Sequence, residues 1–198
     1  MAKLYFKYGA MNSGKSTILL QSAYNYTERG MRPVILKPFI DTKGGEYIVS
    51  RLGVKQKADR LIKSDDDIRR ILARDTRANG KADCIFVDEC QFLTPRQAEQ
   101  LFWIAVEDDI PVICFGLRAD FLTNGFPASS RLLELAHSLQ ELKTICRCGK
   151  KAMFNARKIN GKFVFSGRQV AIDNENDVEY ESLCPQCAIQ EKNNAALN

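Results

Sequence analysis

The sequence predicts an α/β fold in which a parallel sheet is flanked by helices and followed by a small second lobe. Short apolar segments alternate with segments of helix-forming composition as far as Ile145, and strands that alternate with helices form parallel sheets. A glycine-rich loop joins the first predicted strand to the first predicted helix. Beyond Ile145 the chain changes to two cysteine pairs around a Lys/Gly-rich hairpin pattern. We therefore expect an α/β domain over 1–145, a lobe over 146–192 and a polar tail over 193–198.

The first half of the chain is predicted to contain two strands, two helices and a glycine-containing loop. Gly30 follows the first helix and is a typical C-terminal cap. The second helix, through Ile68, is expected to begin at Ser64, because a serine hydroxyl caps free N–H groups and the aspartates after it suit the positive helix end. The other predicted bounds are a strand over 3–8, a helix over 16–29, a strand over 33–36 and a loop with short strands over 39–57.

The second half continues the alternation of strands and helices. Thr94, Pro95 and Gln97 match a capping box, in which threonine and glutamine bond each other's backbone, so a helix is expected to begin there. The remaining predicted bounds are strands over 84–87, 112–115 and 139–145 and a helix over 128–137.

The composition is typical of a soluble globular enzyme, with 45% hydrophobic and 27% charged residues in a chain of 198. The net charge of +5 is modest and the basic residues are spread along the chain, so we expect no nucleic-acid partner. No stretch reaches the ~20 apolar residues of a membrane span and no signal peptide is visible, so we expect no membrane partner and a cytoplasmic location. Seven cysteines without a secretion signal agree with a reducing compartment.

Residues Gly9–Ser16 fit the pattern G-x-x-x-x-G-K-[ST] of the P-loop, a phosphate-binding loop. Glycines let backbone N–H groups approach phosphate oxygens, and the dipole of the following helix favours negative charge. In this pattern Lys15 contacts the β- and γ-phosphates and Ser16 offers its hydroxyl to Mg²⁺. The alternative interpretation is an ordinary glycine-rich turn, which the predicted strand before the loop and the helix after it disfavour.

Two acidic residues, Asp88 and Glu89, come directly after the predicted strand at 84–87. In P-loop enzymes the first acid supports Mg²⁺ and the next can act as a base. Such a base takes a proton from a hydroxyl in a kinase or from water in an ATPase, and the two motifs leave both open. Two other classes of protein compete with an enzyme of this kind. The lack of an arginine-rich groove argues against a nucleic-acid motor, and the presence of Glu89 argues against a non-catalytic regulator.

Four cysteines bracket the lobe in two pairs, and they are Cys146, Cys148, Cys184 and Cys187. Four thiolates in two pairs form a tetrahedral site that zinc occupies in a structural role. The first pair has only one intervening residue, and free thiols or a redox pair are the alternatives. Three further cysteines lie in or beside apolar segments and are expected in the core, namely Cys84, Cys90 and Cys114. His137 is the single histidine, which excludes a multi-histidine metal site.

Six segments carry a family resemblance: Leu4–Phe6, Gly9–Thr17, Arg29–Arg32, Val87–Leu93, Gly116–Arg118 and Leu142–Cys146. In this order, and over nearly the whole chain, they resemble the bacterial type II thymidine kinases. The motif V-D-E-C-Q-F-L after a P-loop is more specific than either element alone. The resemblance implies a P-loop NTPase-like α/β domain and a zinc-ribbon-like lobe whose lasso loop covers the substrate.

The resemblance implies that ATP, with Mg²⁺, phosphorylates the 5′-hydroxyl of thymidine and of deoxyuridine in pyrimidine deoxynucleotide salvage. It implies a structural Zn²⁺ and makes Glu89 the general base. The residues implied at ATP and Mg²⁺ are Gly9, Ala10, Met11, Asn12, Ser13, Gly14, Lys15, Ser16, Thr17, Asp41, Lys43, Asp88 and Gln91. Those implied at the nucleoside are Met11, Phe92, Leu117, Phe121, Phe126, Asn155, Val170, Ile172 and Tyr180. Phe121 and Phe126 are equally well interpreted as plain core residues.

The resemblance further implies a homotetramer and feedback inhibition by thymidine triphosphate (dTTP). The chain departs from the family pattern in two places. Asp173-Asn174 stands where the family carries two glycines, and Asp and Asn tolerate unusual backbone angles less well, so we expect the lasso geometry to differ from that of the family. The lasso is also two residues longer before Tyr180. Lys43 stands where the family usually has arginine, so a bidentate phosphate contact is lost.

Overall fold

The structure is a computed structural model that describes residues 1–167, 169 and 178–196. Its strands are β1 (Leu4–Tyr8), β2 (Pro33–Pro38), β3 (Tyr47–Val49), β4 (Lys55–Lys57), β5 (Arg60–Ile62), β6 (Cys84–Val87), β7 (Val112–Gly116), β8 (Ser138–Glu141), β9 (Thr144–Ile145), β10 (Lys151–Ala152), β11 (Phe154–Ile159), β12 (Lys162–Val164) and β13 (Val178–Leu183). Its helices are α1 (Lys15–Glu28), α2 (Ile68–Asn79), α3 (Pro95–Glu107), α4 (Pro127–Leu135) and α5 (Pro185–Ala196), with a short 3₁₀ helix over Cys90–Phe92.

A six-stranded sheet of order β5-β2-β6-β7-β1-β8 forms the centre of the α/β domain, and its neighbouring strands are all parallel. Side chains alternate between its two faces, so along β2 Val34 and Leu36 join one hydrophobic cluster and Ile35 joins the other. Both faces are therefore buried, as a parallel sheet covered by helices requires. The predicted α/β class is confirmed.

Helix ends follow from local side-chain contacts. The predicted capping box at α3 is confirmed, since Gln97 N donates to Thr94 Oγ1 (3.2 Å) and Thr94 N donates to Gln97 Oε1 (3.0 Å). The prediction that Ser64 caps α2 is wrong. Asp67 is the cap and accepts a hydrogen bond from Arg70 N at 3.0 Å. The carboxylate of Asp66 accepts from Lys63 N (2.8 Å) and folds the preceding residues into a turn, so the helix begins later.

Other element boundaries also differ from the prediction. Helix α4 ends at Leu135, and His137 lies beyond it with Nδ1 accepting from Leu4 N at 3.1 Å. The segment predicted as one strand over 139–145 divides into β8, which pairs with β1, and β9, which pairs with β10. The edge strand β5 was not predicted. Helix α5, also not predicted, includes residues 193–196 of the expected polar tail.

The lobe contains a three-stranded antiparallel sheet of order β12-β11-β13 and the two-stranded pair β9–β10. We count β9 to the lobe because it pairs with β10, although Thr144 and Ile145 are the last residues of the expected α/β range. The predicted hairpin is confirmed, because Asn160 (φ 49°) and Gly161 (φ 76°) form the two-residue turn between β11 and β12. A separate small core fills the lobe, formed by Cys146, Ala152, Ala156, Leu183 and Cys184. Over the ranges described, no helix has the length and apolar character needed to cross a bilayer.

Candidate active site

The phosphate loop lies between the carboxyl end of β1 and the first turn of α1. Gly9 can only be glycine, because a Cβ there would lie 2.3 Å from the carbonyl oxygen of Leu142. Asn12 (φ 66°) and Gly14 (φ 79°) both have left-handed backbones, which turn the loop into the helix. A loop that leads in this way into a helix N-terminus places backbone N–H groups where they can bind phosphate.

Lys15 is buried in this loop, and its Nζ donates to the carbonyl oxygens of Gly9 (3.1 Å) and Ala10 (3.0 Å). Burial lowers the pKa of Lys15, and the negative charges of Glu89 and Asp88 oppose that shift. The loop lysine therefore lies close to both acids predicted from the β6 motif.

Asp88 follows β6 and lies next to the start of α1. Its Oδ2 accepts a hydrogen bond from Ser16 Oγ at 3.3 Å, and its buried Oδ1 has no hydrogen-bond partner among the described residues. Burial, with the neighbouring charge of Glu89 adding to it, raises the pKa of Asp88 to about 7. A hydroxyl and a buried carboxylate with an unused oxygen are ligands that suit a hard cation such as Mg²⁺.

Glu89 has a left-handed backbone (φ 45°), and it leads into the 3₁₀ helix at Cys90–Phe92. Gln91 Nε2 donates to Glu89 Oε2 at 2.6 Å, while Gln91 Oε1 accepts from Leu117 N at 3.0 Å. Gly116 makes room for this arrangement, since a Cβ at that position would lie 2.6 Å from Cys90 Sγ and 2.7 Å from Gln91 Oε1. Gln91 thus ties the Glu89 carboxylate to the end of β7.

A cleft of about 460 Å³ opens at this edge of the sheet. Its lining includes phosphate-loop residues, charged side chains and apolar side chains. The predicted site residues that it brings together are Met11, Asn12, Gly14, Lys15, Ser16, Thr17, Asp41, Lys43, Glu89, Gln91, Phe92 and Leu117. Four further predicted residues are not among those that line the cleft, namely Gly9, Ala10, Ser13 and Asp88.

The hairpin β3–β4 also lines the cleft, and sequence reasoning missed its contribution. The residues concerned are Val49, Ser50, Arg51 and Leu52. Ser50 is buried, and its Oγ has no hydrogen-bond partner within the described ranges. The available signal was Gly53 shortly after the strand-like segment Tyr47–Val49, whereas Lys55–Lys57 has no strand-forming composition.

Lys37 holds the loop that carries Asp41 and Lys43. It is almost fully buried, at 1% exposure, and its Nζ lies 3.1 Å from Asp41 Oδ2. The same Nζ donates to the carbonyl oxygens of Lys43 (2.6 Å) and Gly45 (2.8 Å). One buried ammonium therefore positions both predicted phosphate-side residues of this loop.

The predicted aromatic wall is arranged in two layers. Phe92 lines the cleft, and Phe126 packs edge-on against it with ring centroids 5.9 Å apart. Phe121 is buried beneath Arg157, whose guanidinium carbon lies 3.7 Å from the ring centroid. Tyr180 accepts a hydrogen bond from Arg157 Nε at 3.1 Å. Phe121 and Phe126 are not among the residues that line the cleft.

Asn155 lies under the phosphate loop, where its Oδ1 accepts from Met11 N at 2.7 Å. It borders a small polar cavity with Gly9 and Ala10 rather than the large cleft. Val170, Ile172 and the departure at Asp173-Asn174 lie outside the described residues.

The four lobe cysteines converge, and their Sγ atoms all lie within 4.8 Å of one another. Tetrahedral zinc with Zn–S bonds of about 2.3 Å places its sulfurs about 3.8 Å apart, so the cluster fits the ion. Two local turns bring the thiols together. Gly149 N donates to Cys146 O (2.8 Å) in the first pair, and Cys187 N donates to Cys184 Sγ (3.5 Å) in the second. The remaining cysteines, Cys84, Cys90 and Cys114, are fully buried in the α/β core, as predicted.

Comparison with known proteins agrees with this geometry. The family model described as thymidine kinase matches residues 2–188. The thymidine kinase of Vibrio cholerae serotype O1 is 47% identical over 188 residues, which cover 94% of this chain and 96% of that protein. That of Francisella tularensis subsp. tularensis is 41% identical over 189 residues, covering 93% and 95%.

Among solved structures, the Thermotoga maritima RuvB Holliday junction branch migration motor aligns with 75% of this chain and 40% of that chain. Its TM-score is 0.38 at 17% identity, which is too low to carry an argument about function. The family match, by contrast, spans the phosphate loop, the acidic pair and the cysteine cluster. The chain belongs to the thymidine kinase family.

Proposed function

We propose that the enzyme transfers the γ-phosphate of ATP to the 5′-hydroxyl of thymidine, and of deoxyuridine, in pyrimidine deoxynucleotide salvage. One observation carries the proposal: a single cleft is lined by Lys15 of the phosphate loop, by Glu89 and by the apolar side chains of Met11, Phe92 and Leu117. A nucleoside site requires an apolar wall with few charges, whereas the triphosphate requires a cation and N–H donors. The lining of this one cleft supplies groups for both requirements together with the Glu89 carboxylate.

In this proposal Glu89 accepts the proton of the 5′-hydroxyl as the new P–O bond forms, while the bond from the γ-phosphorus to the bridging oxygen breaks and ADP leaves. The Gln91 hydrogen bond orients the Glu89 carboxylate, and a fixed base contributes about 10²–10⁴-fold to such a reaction. Lys15 stabilises charge on the transferred phosphoryl group, and its burial strengthens that interaction. The aromatic layer of Phe92 and Phe126 excludes water from the acceptor side, which favours transfer over hydrolysis.

Two metals belong to the proposal. Ser16 and Asp88 are the residues that would hold Mg²⁺, since Asp88 Oδ1 is buried without a described partner next to Ser16. When bound, Mg²⁺ neutralises negative charge on the phosphates. Cys146, Cys148, Cys184 and Cys187 would hold Zn²⁺, which has a structural role.

Labelled ATP, Mg²⁺ and a panel of nucleosides, with and without single-stranded DNA, test this function. We expect labelled thymidine monophosphate and deoxyuridine monophosphate, with little release of free phosphate. DNA-stimulated release of free phosphate without a labelled nucleotide product would instead indicate an ATPase motor and overturn the proposal. Omitting Mg²⁺, with EDTA present, is the matched control and should abolish transfer.

Feedback inhibition by dTTP is part of the same proposal. This molecule carries both a thymine and a triphosphate, and the cleft places an apolar wall and a phosphate loop within one volume of about 460 Å³. Competition of dTTP with both substrates in initial-rate assays tests the idea. Inhibition that is independent of both substrates would contradict it.

A homotetramer and a cytoplasmic location complete the proposal. Exposed apolar side chains such as Leu52, Trp103 and Ile145 are candidates for subunit contacts, and sedimentation velocity measures the assembly. None of the seven cysteines forms a disulfide, which suits a reducing compartment.

A further inference from the structure

The tip of the phosphate loop is held by side chains of the lobe. Both backbone polar groups of Met11 are bound there: Met11 N donates to Asn155 Oδ1 (2.7 Å) and Met11 O accepts from Ser182 Oγ (2.6 Å). The next carbonyl, Asn12 O, accepts from Thr144 Oγ1 at 3.2 Å. Consecutive backbone groups of the loop are therefore bonded to the lobe rather than to the α/β domain.

These three side chains come from three different strands of the lobe. Thr144 is on β9, Asn155 is on β11 and Ser182 is on β13. Because β11 and β13 pair along their whole length, Asn155 and Ser182 are opposite one another in the register and reach Met11 together. Asn155 and Ser182 are also buried, at 5% and 6% exposure, so water does not easily replace either contact.

The left-handed backbone conformation of Asn12 requires stabilising contacts. Asn12 has φ 66°, and a residue with a Cβ is disfavoured in this left-handed region. Such a conformation persists only where surrounding contacts impose it. The Asn12 carbonyl accepts from Thr144 of the lobe, so the lobe contributes to that constraint together with the bond from Ser13 N to Ala10 O within the loop.

We propose that Ser182 and Asn155, assisted by Thr144, are positioning residues that hold the phosphate loop in its nucleotide-binding conformation. The lobe then serves the phosphate donor as well as the nucleoside. This inference rests on the proposed function, which makes the loop an ATP site. Without these hydrogen bonds the loop populates other conformations, and the apparent affinity falls in proportion to the competent fraction.

Direct binding of a non-hydrolysable ATP analogue with Mg²⁺, measured by calorimetry without any nucleoside, tests the inference. We expect Ser182→Ala and Asn155→Leu each to raise the Kd about threefold to tenfold, the range for one lost hydrogen bond. Ser182→Thr keeps the hydroxyl and should restore affinity close to that of the parent chain. Ser166→Ala is the matched control, because Ser166 is an exposed serine of the same lobe.

Kinetics separate this role from general support of the fold. Ser182→Ala should raise KM for ATP by about the same threefold to tenfold factor, while kcat at saturating ATP changes by less than about twofold. Unchanged analogue affinity in both variants, with a lower Tm alone, would mean that the contacts are merely structural and would overturn the inference. A chain that binds the analogue but does not phosphorylate thymidine would overturn the proposed function and leave this inference standing.

Discussion

The side-chain amide of Gln91 donates a 2.6 Å hydrogen bond to Oε2 of Glu89, two residues earlier in the chain. The other end of the same amide accepts from the backbone N–H of Leu117, so Gln91 cannot rotate without losing a bond at each end. Glu89 itself has a backbone angle of φ 45°, which directs its side chain out of the strand and into the cleft. The Gln91 hydrogen bond and the backbone conformation of Glu89 thus both orient the base of the proposed reaction.

Replacing this base should separate binding from chemistry. Glu89→Gln keeps the shape of the side chain but cannot accept the hydroxyl proton, so we expect kcat to fall by about 10²–10⁴-fold. Affinity for the ATP analogue should stay within about twofold of the parent, because the phosphates are bound by the loop. Glu179→Gln, at an exposed position on β13, is the matched control. Full activity of Glu89→Gln would refute the assignment of the base.

The buried carboxyl of Asp88 should make stability depend on pH. Its pKa in the folded chain is about 7, against about 3.9 for an unfolded aspartate, so the folded state favours the protonated form. The free energy of unfolding should therefore fall as pH rises from about 4 to about 7. Asp88→Asn removes this penalty and should be more stable than the parent at pH 8, by on the order of 2 kcal/mol.

Urea denaturation at pH 4.5, near the lower end of this interval, and at pH 8, about one unit above its upper end, measures that difference when no Mg²⁺ is added. Asp65→Asn is the matched control, because Asp65 is exposed and should not alter the pH profile. Identical profiles for the parent and Asp88→Asn would show that Asp88 titrates normally. With Mg²⁺ added, the parent but not Asp88→Asn should gain stability.

Lys37 should be needed for the fold of its loop. Lys37→Met leaves the Asp41 carboxylate and the carbonyl oxygens of Lys43 and Gly45 without their shared donor, which we expect to cost about 3 kcal/mol of unfolding free energy. Lys57→Met is the contrasting variant, since Lys57 pairs with Glu46 at the exposed surface and should change stability little. Urea denaturation measures both stability losses. Equal losses in the two variants would contradict the prediction that burial makes the Lys37 contacts more important for stability than the exposed Lys57 pair.

Zinc binding should depend on the four convergent thiols. Cys187→Ser removes one ligand, and we expect the zinc content to fall from about one ion per chain to a small fraction of that. Elemental analysis of the purified protein measures it, and the Tm should drop because metal binding contributes to folding. Cys84→Ala, which alters a buried cysteine of the α/β core, should keep its zinc. Retention of zinc by Cys187→Ser would exclude this ligand set.

Features carried by neighbouring residues could be predicted from the sequence. The phosphate loop, the acids after β6 and the capping box at Thr94 each depend on spacing within a few positions, and the structure places each where the pattern requires. Ser64 was misassigned for a reason that is also local. Serine and aspartate compete for the same free N–H groups, and the position nearer the helix, Asp67, is the one that caps it.

Contacts between distant parts of the chain could not be predicted in this way. Ser182 and Met11 are 171 positions apart, and Thr144 and Asn12 are 132 apart, so no local pattern relates them. The lining of the cleft by Ser50 and Arg51 depends on how the hairpin folds back over α1, which their own sequence does not specify. The converging cysteines are an exception, because their chemistry requires convergence whatever the separation.

Gly116 restricts which sequences this site can accept over evolutionary time. Even one methyl group at position 116 would overlap Cys90 Sγ and Gln91 Oε1, and so would displace the amide that holds Glu89. Neither contact belongs to a flexible surface side chain, since Cys90 and Gln91 are both buried. A substitution of Gly116 should therefore be tolerated only when residues 90 and 91 change as well. The three positions are expected to evolve together.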